Sequence, residues 1–209
     1  MAVISNGTTL IDAGALDSAV AKGSLIHIKT LTASSSADLT FVNGASSVVF
    51  DGTYKQYIFT FNEIHPASAA SFTVNFSDDT SSHSYDLSKQ SSSFVAWHDE
   101  ANSATSLQYR TAYDLANGTG VQPLGGDTMS IANDNCGSGF LSIYDIANTT
   151  FVKHFLSRFK PNYSGGSDPY SHDGHTGGYV NTTAAITAAQ FKMSSGNIDS
   201  GTIKLYGVS

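Results

Sequence analysis

The segment His172-Asp173-Gly174-His175 places two imidazoles around a carboxylate within four residues. That donor set can converge on a transition metal, above all where chains meet about a three-fold axis. Without a helix to orient them, two histidines at this spacing also fit a plain polar loop, so no metal is assigned. The surrounding run PNYSGGSDPYSHDGHTGG, residues 161–178, is expected to be a loop of about 18 residues. Loops of that length more often bind or move than merely connect. With Tyr163, Asp168, Tyr170, His172, His175 and Tyr179 the region offers rings and polar groups suited to stacking on a sugar or a protein surface.

Glu63 and His65 form a second constellation at the end of VVFDGTYKQYIFTFNEIHPAS. Two residues apart on one side of a strand, they have the types of a general acid/base pair. They also stand where the chain must leave a sheet at Pro66, and polar side chains belong there without any chemistry. His98, Asp99 and Glu100 follow an apolar strand ending in Trp97; a cation would suit them, and so would a solvated strand end. Cys136 is the single cysteine, which excludes an internal disulfide and a cysteine-based zinc site. It reads as a small residue near the start of a strand. No GxSxG elbow, HExxH helix or phosphate-cradling glycine loop occurs. The expectation is therefore a protein with no catalytic residues and no cofactor, not an enzyme.

The elements that must position these residues are strands. QYIFTFNEI alternates, with Tyr57, Phe59 and Phe61 on one face and Ile58, Thr60 and Asn62 on the other, the period of a half-buried strand. ASFTVNFS repeats this with Phe72, Val74 and Phe76, so the two runs are expected to flank IHPASAA as a hairpin-like pair. FVKHFLSRFK places Phe155 and Phe159 with Phe151, Lys153 and Ser157, and His154, Leu156, Arg158 and Lys160 opposite. AITAAQFKMSS and GTIKLYGV close the chain, the latter alternating through Ile203, Leu205 and Gly207. Between residues 78 and 127 the pattern weakens: a polar loop, a short strand FVAWH and a mixed segment are expected.

About nine or ten strands without an amphipathic helix or a long repeat predict an all-β fold, a β-sandwich of jelly-roll type with long polar loops. One such domain is expected over residues 24–209, preceded by an extended N-terminal arm over residues 1–23. Composition agrees: 209 residues, 40% hydrophobic and 11% aromatic against 13% charged, place the chain among globular proteins. A net charge of −7, with 10 basic residues spread thinly, argues against nucleic acid as a partner. No basic leader precedes an apolar block and no run is long enough to cross a bilayer, so no membrane association is expected.

SLIHIKTLTASSSADLTF, FDGTYKQYIFTFNEIHPAS, TTFVKHFLSRFKPNY and the closing FKMSSGNIDSGTIKLYGVS together resemble virion structural proteins of tailed bacteriophages, particularly those of marine cyanobacteria. The resemblance runs from about Ser24 to the C-terminus, and its most distinctive pieces are the aromatic strand ending in IHP and the terminal GTIKLYG. These are fold motifs and carry over no active-site residues. The resemblance implies a self-assembling component of a phage head or tail appendage, located on the virion. The expected function is a capsid-decorating or cement subunit, a homotrimer partnered by itself and by the major capsid protein or another virion protein. The alternative is a tail-attached adhesin, fibre or spike, that binds host surface glycan through residues 161–178. A depolymerase would need paired carboxylates facing a groove.

Overall fold

The computed structural model describes residues 3–5, 8–12, 15–16, 24–163 and 169–209. Within the expected arm, β1 (Val3–Ser5), β2 (Thr8–Asp12) and β3 (Ala15–Leu16) pair antiparallel in a small sheet of their own. The other residues of 1–23 lie outside the described set.

From Leu25 onward the chain is all-β, two antiparallel sheets of nine and four strands packed as a sandwich. The large sheet runs, in spatial order, through β10 (Ala116–Gly118), β8 (Lys89–Asp99), β14 (Tyr170–Val180), β13 (Lys153–Tyr163), β12 (Gly137–Tyr144), β6 (Gln56–Pro66), β16 (Ile198–Val208) and β4 (Leu25–Thr32). Strand β9 (Thr105–Tyr109) shares the outer edge of β8. The small sheet is β11 (Gln122–Pro123), β7 (Phe72–Ser77), β15 (Ala188–Met193) and β5 (Leu39–Val42).

Alternation decides which side chains enter the space between the sheets. Phe59, Phe61, Phe155, Phe159, Ile203 and Leu205 enter from the large sheet and Phe41, Phe72, Phe76 and Phe191 from the small one, all buried. Phe191 is the hub. Its ring lies 5.0 Å from Phe59, 5.3 Å from Phe61, 5.9 Å from Phe72 and 6.1 Å from Phe41. Such ring pairs contribute about 0.5–1.5 kcal/mol each beyond their buried area.

Three expectations change in the folded chain. The segment IHPASAA does not close a hairpin: β6 pairs with β12 and β16, β7 with β11 and β15, so it carries the chain from one sheet to the other. The reason is that the Phe59/Phe61 and Phe72/Phe76 faces bury each other across the sandwich, not side by side in one sheet. FVAWH is the second half of an eleven-residue strand, β8, whose first half KQSSS belongs to the segment expected as a polar loop. Its Ser91 and Ser93 are buried small residues that the hydrophobic pattern does not mark. The region 161–178 is mostly strand, because β13 and β14 pair in register from Lys153↔Val180 to Tyr163↔Tyr170.

Two buried lysines tie the large sheet to the chain beside it, Lys89 to β7 of the small sheet and Lys153 to loops. Lys153 donates from Nζ to the carbonyls of Ala184 (2.6 Å), Phe151 (3.1 Å) and Thr182 (3.3 Å). Lys89 donates to Asn75 Oδ1 (2.6 Å) and the Leu87 carbonyl (2.5 Å), and Asn75 in turn donates to the carbonyls of Tyr85 and Thr119. Burial pushes the Lys89 ammonium down to about 8, against a smaller opposing pull from Asp86.

Phe191→Ala should cost about 3–5 kcal/mol, the usual range for an aromatic removed from a packed core, read as a lower urea midpoint with an unchanged slope. Lys89 gives a pH signature. Between about 8 and the ordinary 10.5 the unfolded chain holds this proton and the folded chain does not, so stability rises with pH across that window. Wild type minus Lys89→Met, measured by denaturant titration from pH 7 to 10, should show that rise.

Candidate functional site

The segment His172–His175 lies on β14, and strand geometry separates its donors. His172 and Gly174 face the interior, while Asp173 and His175 face outward, because successive side chains point to opposite sides. The three groups therefore do not converge, and among the described residues no cluster of three or more His, Cys, Asp or Glu could hold a metal. On the outer side Arg158 grips Asp173 with both nitrogens (Nε–Oδ1 2.8 Å, Nη2–Oδ2 2.5 Å), which holds that carboxyl below its usual range. His175 lies flat on Phe94, ring centres 4.8 Å apart, with Nε2 3.5 Å from Asp173 Oδ1. Tyr179 meets His154 edge-on at 5.9 Å. Asp168 lies outside the described residues.

Glu63 and His65 reach the surface by a bulge. Strict alternation after Tyr57, Phe59 and Phe61 would drive both into the core, at the cost of burying a carboxylate. Instead Glu63 takes a positive φ of 54° opposite Gly201 at 119°. The register against β16 slips so that Ile64 and Pro66 turn inward. His65 then sits with Nδ1 3.7 Å from Asp199 Oδ2 and Nε2 3.3 Å from the Ala132 carbonyl. Cys136 lines the same cleft of about 390 Å³; burial, then the Glu63 charge, push its thiol up, the opposite of an activated nucleophile. Asp99 is occupied in holding the turn after β8, accepting from the amides of Ser103 (2.9 Å) and Ala104 (3.0 Å) and from the Ser103 hydroxyl.

Three residues singled out in the sequence do come together. Tyr163 stacks at 6.2 Å on Tyr170 and at 5.9 Å on His172. Trp97 stands edge-on to Tyr170 at 5.1 Å. Gln108 and Arg110 complete the wall because β8 and β9 pair with Val95 opposite Gln108 and Trp97 opposite Ser106, so alternate residues share the inner side. Asp127 arrives on the chain beyond β11, which crosses β14 where a Cβ on Gly174 would collide with the Gly125 backbone. There Arg110 donates from Nε to the Gly126 carbonyl (2.8 Å) and pairs with Asp127. His172 is 4% exposed, its Nδ1 has no hydrogen-bond partner and stands 3.8 Å from Asp127 Oδ2. Burial, the largest influence, pushes its proton affinity down, so the ring is neutral near pH 7.

Sequence reasoning missed Gln108, Arg110 and Asp127. The period-two run Ser106, Gln108, Arg110 was readable as one strand face; the partnership with Asp127, 17 residues further on, has no local signal.

A different surface covers the outside of the large sheet. Thr60, Phe140, Arg158, His175, Phe94 and Tyr109 are successive cross-strand neighbours there. Beside that row Ser142, Leu156, Gly177 and Ser92 are likewise neighbours, and the small residues Ser142, Gly177 and Ser92 leave a groove of about 860 Å³ around Leu156. Leu156 is 54% exposed and Leu107 72%.

No family model matches the chain, and no curated protein or solved structure matches it either.

Gly174→Ala should displace the Gly125–Asp127 crossing and lower stability by about 1–3 kcal/mol, the range for overpacking. The lone tryptophan, Trp97, should report it as a shifted emission maximum.

Proposed function

We propose that this chain is a structural subunit on the exterior of a tailed-bacteriophage virion, a sandwich of jelly-roll type with one sheet extended. It decorates the capsid, associates as a homotrimer and stabilises the particle without catalysing a reaction. The observation that carries the reading is the open apolar face of the nine-stranded sheet, where Phe94, Phe140, Tyr144 and Leu156 stand exposed in one groove. Patches of this kind mark association surfaces. The occupant is a second copy of this chain. With a net charge of −7, copies repel one another except where no uncompensated charge faces outward. The groove meets that condition, since its Arg158 is neutralised by Asp173 on the same sheet. The resemblance of the IHP strand and the closing GTIKLYG to phage virion modules supplies the setting.

Native mass spectrometry of the purified chain should show a trimer. Leu156→Asp and Phe140→Asp should each weaken association at least about tenfold, or about 1.4 kcal/mol, without changing the circular dichroism spectrum. A subunit that binds only the assembled lattice stabilises it by mass action, so particles lacking the chain should release DNA at lower temperature while still adsorbing to cells. A chain monomeric both in solution and on the particle overturns the trimer. Particles that stay robust but fail to adsorb overturn the decorating role in favour of the adhesin.

A further inference from the structure

We infer that the pocket where β8, β9 and β14 end is a saccharide-binding site, taking one sugar ring against Trp97, Tyr163 and Tyr170 with its hydroxyls on Gln108, Arg110 and Asp127. This goes beyond the reading above and does not depend on where the chain sits on a particle. A pyranose presents an apolar C–H face and a rim of hydroxyls that donate and accept at once. The pocket offers the matching pair of surfaces: rings 5.1–6.2 Å apart along one wall and planar polar groups along the other. Its volume of about 220 Å³ equals roughly seven liquid-water volumes of about 30 Å³ each, the space of a single sugar unit.

Other ligand classes fit less well. An anion would have to compete with Asp127 for Arg110, since the pair is already closed. A cation finds one carboxylate and one imidazole, with 3.8 Å between Asp127 Oδ2 and His172 Nδ1. A wholly apolar ligand would strip water from Arg110 and Asp127, each about a quarter exposed, and return no hydrogen bond, which is costly. A neutral ligand rich in hydroxyls bonds to those two groups and leaves the ion pair intact.

The test uses the full chain and the emission of Trp97, its only tryptophan. The probes are the methyl glycosides of glucose, galactose, mannose, rhamnose and N-acetylglucosamine, with sodium phosphate and zinc chloride run in parallel. At least one sugar should give a saturable emission change in the millimolar range, and the two salts none. Tyr163→Ala and Gln108→Ala should each weaken that binding at least about tenfold with an unchanged melting temperature. Because Gln108 is exposed, its variant decides alone if Tyr163→Ala does not fold. The inference is overturned if no sugar gives a saturable change, if phosphate or zinc saturates the signal instead, or if sugar binding is indifferent to Gln108→Ala.

Discussion

The packing of Phe191 against Phe59 and Phe61 is the contact on which the molecule turns. The two sheets share no ladder of hydrogen bonds, so the interior rings must hold them together. Phe191 comes from the small sheet and meets both large-sheet phenylalanines at 5.0 and 5.3 Å. Dispersion and burial of rings are short-ranged, and the register of each strand is set by the need to keep its rings inside. Lys89 and Lys153 act at the margins of that core: each spans loops and sheet through carbonyl or amide oxygens, and each has its burial offset only in part, Lys89 by the charge of Asp86 and Lys153 by those of Asp145 and Asp78. They specify how the sandwich closes more than they add to its stability.

The constraint explains what was legible in the sequence. Strand β13 is read correctly from Lys153 onward, because Phe155 and Phe159 alternate with Leu156, Arg158 and Lys160, but Phe151, expected on the same face, precedes the strand and is exposed. Strand β16 likewise hides Ile203 and Leu205 while showing Lys204. The same rule fails at Glu63, where it predicts a carboxylate in the core, and the chain inserts a bulge at Glu63 and Gly201 instead. It also fails on β14, whose inner face is built from His172, Gly174 and Thr176. Glycine and histidine there look like loop chemistry, yet Gly174 is required by the backbone of Gly125 crossing above it. A long-range steric demand leaves no periodic trace.

The partial legibility of the pocket has the same origin. Tyr163 and Tyr170 are close in sequence, and they stack because the antiparallel pairing of β13 and β14 sets them opposite each other. Arg110 and Asp127 meet only because the chain leaving β11 is led over β14 and β8 and back to the Ala70–Met129 bridge. Each residue alone is an ordinary charged side chain.

Unequal sheets tie these observations together. Four strands cannot roof nine, so part of the inner face of β14 and β8 lies beyond the edge of the small sheet. A strand face at such an overhang must be either polar or covered. Here both solutions are used: the crossing from Leu124 to Met129 buries Val95 and Gly174, and past its edge the same face turns to Trp97, Tyr170 and His172. The half-covered margin is where a buried imidazole is left without a partner. A fully roofed core would have excluded it, and open solvent would have satisfied it. The mismatch in strand number thus creates an environment where aromatic rings, an ion pair and an unsatisfied nitrogen share a small, partly dry space.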